Sequence, residues 1–130
     1  MDRQLAQFNS MLRSKPFWAV VAASSLALAI WLGVARHAGI WPIIVFGIMP
    51  DIALFAGTGS GLAKGQLHPR AVRLYNALHS LWGPIALALA TVGFGWSHVW
   101  LVGAIAWTMH IAVDRAVGYG FRDKNGFQRG

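Results

Sequence analysis

The stretch Phe17-Trp18-Ala19-Val20-Val21-Ala22-Ala23-Ser24-Ser25-Leu26-Ala27-Leu28-Ala29-Ile30-Trp31-Leu32-Gly33-Val34 contains no ionisable side chain. A hydrocarbon core about 30 Å thick takes roughly 20 apolar residues in a helix, so this run is long enough to cross one. It carries a basic flank in Arg13 and Lys15, but it exceeds the roughly 7–15 apolar residues of a cleaved leader. It is expected to be a retained membrane helix over about 17–35. Three further runs follow it: about 40–56, interrupted by Pro50-Asp51; about 71–94, entered through His68-Pro69-Arg70; and about 97–119. Backbone N–H and C=O groups cannot stay unpaired in lipid, which makes each run a helix. The expectation is an all-α chain, a single transmembrane domain over 1–130 forming an integral membrane four-helix bundle.

Composition agrees. Charged residues are 12% of the 130, against about 25% in soluble domains, and 56% apolar content excludes a disordered chain. The absence of cysteine excludes disulfides, iron–sulfur clusters and thiolate-bound zinc. The net charge of +7 is explained by where the basic residues lie. With four spans, one side of the membrane holds Arg3, Arg13, Lys15, Lys64, Arg70, Arg73, Arg115, Arg122, Lys124 and Arg129, and the other holds Arg36 alone. That bias puts both termini in the cytoplasm. The expected location is the cell inner (cytoplasmic) membrane, with membrane lipids as partners through their anionic headgroups and no nucleic acid; protein partners are not specified. Phe17, Trp18, Tyr75, Tyr119 and Phe121 fall at inner helix ends, and Trp31, Trp41, Trp96 and Trp100 at outer ones, as an interfacial aromatic belt does.

Leu5, Phe8 and Leu12 have helical spacing next to Arg3 and Arg13, fitting a short helix on the cytoplasmic surface or a frayed tail. The glycine-rich stretch 57–65 lacks the Gly-Lys-Ser/Thr order of a phosphate loop and follows a helix, so it is a flexible connector. Residues 118–126 should form turns, Asn125-Gly126 the clearest. Pro50 and Pro84 should bend their helices, and Pro50 should free a carbonyl beside Asp51.

Ionisable groups inside spans are costly and mark function by default. Asp51, His79, His110 and Asp114 are such groups, with Asn76 three residues before His79. Counting about 1.5 Å per residue from the helix ends puts all of them in the cytoplasmic half of the bilayer, delivered by three helices. Two imidazoles and two carboxylates are the ligand types of zinc, manganese or iron. An ion would cancel the carboxylate charge, and with a position open it would activate water for hydrolysis. In this reading His79, His110 and Asp114 are ligands, and Asp51 is a fourth ligand or the catalytic general base. Asn76 and Tyr75 would orient a ligand or meet the substrate, and Arg115 would steer an anionic headgroup. Two alternatives stay open: a polar cluster that only ties helices together, with Arg115 neutralising an aspartate, or a proton or ion path. His37 and His98 lie at outer ends, and His68 marks a helix start.

Met49-Pro50-Asp51-Ile52-Ala53-Leu54, Tyr75-Asn76-Ala77-Leu78-His79, His110-Ile111-Ala112-Val113-Asp114-Arg115-Ala116-Val117-Gly118-Tyr119-Gly120 and Gly126-Phe127 together resemble the bacterial membrane family known as domain of unknown function 4260. The resemblance runs from about Leu12 to Phe127 and implies a small four-helix membrane protein without naming a reaction. More distantly, Asp51, His79-Ser80 and His110 with Asp114 are similar to the Pro-Asp, Thr-His-Ser and His-x-x-x-Asp pattern of membrane-bound metal-dependent hydrolases. The chain departs from that pattern at Ala53 and at Tyr75-Asn76, where that family carries a second acidic residue and a further histidine. The likeness implies a divalent metal, zinc foremost, and hydrolysis of an amphiphilic or phosphorylated substrate. The competing expectation is a non-enzymatic membrane component or accessory subunit.

Overall fold

The computed structural model describes residues 1–129. Its helices are α1 (Asp2–Leu12), α2 (Lys15–Ala35), α3 (Trp41–Ile48), α4 (Ile52–Ala56), α5 (Val72–Leu78), α6 (Trp82–Gly93) and α7 (His98–Val117), with 3₁₀ turns at Met49–Asp51 and Pro69–Ala71. Among the described residues the β structure is one isolated bridge between Arg122 and Gln128. The chain is all-α.

Local sequence sets the ends. Ser14 caps α2 by accepting from Phe17 N at 3.3 Å, with Pro16 in the first turn, where its missing N–H has no consequence. Ser97 caps α7 by accepting from Val99 N. Gly118, at φ +99°, closes α7. Tyr119 N donates to Asp114 O at 2.8 Å and Gly118 N to Arg115 O at 3.3 Å, the paired bonds of a left-handed helix stop.

α7 is the axis against which α2, α3 and α6 pack. The contact surfaces are built from small residues: Ala29, Ala104, Ala106 and Ala112 are almost wholly buried. A Cβ on Gly103 would run into the Phe46 ring, and one on Gly83 into the Trp107 ring. Small residues let helices approach closely where dispersion contacts have to hold them together. α1 buries none of its residues.

Two of the runs expected as single helices are broken, and prolines break them. The run 40–56 is α3, a 3₁₀ turn holding Pro50, then α4. The run 71–94 is not one helix: it stops at Leu78 and restarts at Trp82. In a continuous helix the Pro84 ring would clash with the carbonyl of Ser80. The chain instead leaves the helix at His79, and Ser80 Oγ accepts from Trp82 N at 3.4 Å. The carbonyl freed at Leu78 accepts from Trp107 Nε1 at 2.7 Å.

α2 is long and apolar enough to cross a membrane, while Trp41–Ala56 and Trp82–Gly93 are shorter apolar segments. The other long helix, α7, spans 20 residues, and its polar residues lower its hydropathy. Large apolar side chains stay exposed on four of the helices: Val20 and Val34 on α2, Ile44 and Ile48 on α3, Trp82, Leu89 and Val92 on α6, Val113 and Val117 on α7.

Candidate metal centre

The broken segments position the chemistry. Asp51 ends the 3₁₀ turn, and His79 is the first residue beyond α5. His110 and Asp114 are one turn apart near the end of α7, where the Gly118 stop ends the helix. The structure brings Asp51, His79, His110 and Asp114 together, with one ligand atom from each inside a 4.8 Å span.

Two carboxylate oxygens each face both imidazoles. Asp114 Oδ2 is 3.1 Å from His79 Nε2 and 3.5 Å from His110 Nε2. Asp51 Oδ1 is 3.3 Å from His110 Nε2 and 3.5 Å from His79 Nε2. The four atoms thus alternate nitrogen and oxygen around a ring. Neither Nε2 has a hydrogen-bond partner, although both are buried. At these distances the oxygens lie off the axis along which each Nε2 points.

The other ring nitrogens are engaged. His110 Nδ1 is 2.7 Å from Gly47 O, and His79 Nδ1 is 2.8 Å from Tyr75 O. A carbonyl only accepts, so both Nδ1 atoms carry the proton, and in the neutral ring Nε2 presents its lone pair. Ligating histidines are held in this way by a carbonyl or carboxylate behind them. Pro50 explains why Gly47 O is free. The 3₁₀ turn shortens the bonding step by one residue, and the residue then facing Gly47 O is a proline without an N–H.

With both rings neutral, the centre gathers four electron-pair donors in a largely buried place. The histidine side chains are 4% and 10% exposed, Asp114 21% and Asp51 43%. Acceptors alone repel one another there, and buried charge needs a partner. A tetrahedral ion with bonds of about 2.0–2.1 Å has ligand–ligand edges of about 3.3–3.4 Å; the four nitrogen–oxygen separations bracket that value, while across the ring the atoms reach up to 4.8 Å apart, so the ring is wider than a closed tetrahedron. The donor set fits a divalent cation. Asp51 is its open edge. Two surface cavities lie elsewhere, one of about 360 Å³ beside Leu54, Leu67 and Arg122 and one of about 480 Å³ beside Ile30, His37 and Ile43.

Three expected neighbours stand outside the four. The Asn76 side chain does not reach the four; it bonds the backbone of Arg122, Nδ2 donating to O at 3.0 Å and Oδ1 accepting from N at 2.8 Å. Tyr75 lies directly behind the centre, its ring stacked on the His79 imidazole at 3.9 Å. Arg115 lies over the Trp18 ring at 4.5 Å and near Phe121 at 5.7 Å; among the described residues, the ion pairs of Asp51 and Asp114 are with the two histidines. His68 is a cap, accepting from Arg70 N through Nδ1 at 3.2 Å. Sequence reading missed the Gly47 carbonyl's partner and Arg122. The Asn125-Gly126 turn between Arg122 and Gln128 was the available signal for the second.

Neither a curated protein nor a solved structure matches the chain, so the likeness to metal-dependent hydrolases rests on the quoted motif residues alone. The motifs that build this centre and end α7 lie within a matching family region, and the chain belongs to the family described as "Domain of unknown function (DUF4260)", which matches it over residues 18–130.

Proposed function

We propose that the chain is a multi-pass protein of the inner (cytoplasmic) membrane, both termini inside, whose four helical passes hold a divalent metal, zinc foremost. The passes are α2, α3 with α4, α5 with α6, and α7. The exposed apolar side chains on these four helices support a lipid surround, since soluble monomers rarely expose such area. The charge asymmetry of ten basic residues against one supports the orientation. It supports a centre near the cytoplasmic headgroups.

The observation that carries the metal reading is the alternating ring of nitrogen and oxygen atoms at 3.1–3.5 Å with both Nε2 atoms unpartnered. His79, His110 and Asp114 are the ligands, and Asp51 is the fourth or the general base. An ion held there would supply Lewis acidity and lower the pKa of a water. Asp51, the most exposed of the four, is the group able to take a proton from a molecule entering at the open edge. His79 and His110, tied to backbone carbonyls, stay in one tautomer throughout. Hydrolysis of an amphiphilic or phosphorylated substrate is the reaction this supports, at the level of lipid headgroups.

The test is the metal content of detergent-purified protein. About one equivalent of a transition metal in the wild type, lost in His110→Ala, is expected for a site of this ligand set. Below about 0.1 equivalent in both, with lowered thermal stability in Asp51→Asn and His79→Gln, the cluster is protonated imidazole paired with carboxylate, and the chain is a non-enzymatic membrane component.

A further inference from the structure

We propose that the segment after α7, residues 121–128, is a strap that fixes the orientation of His79, with Arg122 as its positioning residue acting through Tyr75. This rests on the metal reading above.

The strap is tied at both ends. Asn76 pairs with both backbone groups of Arg122 as a neighbouring strand would. Gly126 O accepts from Leu67 N at 2.9 Å and from Arg122 Nη1 at 2.8 Å, and the same Nη1 donates to Gly65 O at 3.0 Å. The Asp123 carboxylate closes the turn by accepting from Asn125 N at 2.9 Å and Phe127 N at 3.1 Å. Gly126 is at φ +97°, and a Cβ there would overlap the Leu67 carbonyl, so the approach of strap to loop requires glycine.

The strap grips Tyr75, which is 3% exposed. Gln128 Nε2 donates to the Tyr75 hydroxyl at 3.1 Å, and the Arg122 guanidinium carbon is 4.7 Å from the ring centre. His79 covers one face of that ring at 3.9 Å and 16°. A stacked imidazole leaves no room for a guanidinium on the same side, so Arg122 lies on the other, and Arg122, Tyr75 and His79 form one column. This matters because His79 sits past the end of a helix of seven residues, where no following turn holds its ring. Its orientation depends on the Tyr75 carbonyl bond and the Tyr75 ring, and a ligand is only as well placed as what packs behind it.

The test uses the full chain in detergent, titrated with Co²⁺ and followed by its visible absorption, in wild type, Arg122→Ala, Arg122→Lys and Gln128→Ala. Hydrogen exchange of the Leu67 and Arg122 amides reports whether the strap is docked. Expected is weakening of Co²⁺ binding by about tenfold or more in Arg122→Ala, the scale of losing a group behind a ligand. A changed Co²⁺ spectrum, faster Leu67 exchange and unchanged helix content should accompany it. Arg122→Lys, which keeps a cation over the ring, should recover part of the affinity, and Gln128→Ala should show a smaller loss; Gln128→Ala carries the test alone if Arg122→Ala does not fold. Undocked amides with unchanged affinity and spectrum overturn the strap's role while leaving the metal reading intact. Wild-type protein that binds no Co²⁺ removes the metal reading and, with it, this one.

Discussion

His110 Nδ1 donates to Gly47 O at 2.7 Å, joining α7 to the end of α3 across 63 positions of sequence. The bond exists because Pro50 interrupts the second apolar run just there. It turns the Nε2 of His110 toward Asp51 and Asp114, and the same interruption delivers Asp51 to the opposite side of the ring of donors.

Replacing Pro50 tests that relation. Pro50→Ala restores an N–H and allows a regular helix through 49–51, so Gly47 O gains a backbone competitor and Asp51 rotates. Zinc affinity, measured by competition with a chromogenic chelator, should fall about tenfold or more, while overall helix content stays level or rises.

Acid should strip the ion. Imidazole and carboxylate must be unprotonated to bind a metal, so protons compete at both Nε2 atoms and both carboxylates. Retention after dialysis is expected to be complete at about pH 7.5 and largely lost by about pH 5. Any stability the ion confers is lost in the same direction, as pH falls. A melting temperature that responds to added zinc at the higher pH and not at the lower one is the readout.

Gly118→Ala should destabilise the chain. The residue sits at φ +99°, and an L side chain in that region costs about 1–2 kcal/mol. The turn it makes also feeds the strap, so hydrogen exchange at Leu67 should rise together with the loss seen by thermal unfolding in detergent.

The proposed lipid surround has its own test. Leu89, 68% exposed, lies on α6. On a water-facing surface Leu89→Asp would change stability by about 0.5 kcal/mol or less; facing hydrocarbon, it should cost about 2.5–3.5 kcal/mol of insertion and sharply reduce the membrane-extracted yield. The chain has no cysteine, so Arg36→Cys and Lys64→Cys report sidedness without background. An impermeant thiol reagent applied to intact cells should label the first and spare the second.

Apolar run length made the all-α class and the extent of α2 and α7 legible but not the breaks inside the second and third runs, and counting along the helices from their ends brought Asp51, His79, His110 and Asp114 to one level, where the structure gathers them. What depth could not give was direction around the axis. Asn76, three residues before His79, spends its side chain on the Arg122 backbone of the strap. Arg115, adjacent to Asp114, rotates away to the Trp18 ring. The docking of the tail depends on bonds spanning 46 to 59 positions, which no local pattern encodes.

X-ray absorption at the zinc edge, on protein purified in detergent and loaded with one equivalent, probes the centre most directly. Four nitrogen and oxygen neighbours at about 2.0–2.1 Å, with the outer-sphere signature of two imidazoles that disappears in steps on His79→Ala and His110→Ala, is the expected result. Zinc that washes out of the wild type, or a spectrum indifferent to both substitutions, would contradict a metal centre built by Asp51, His79, His110 and Asp114.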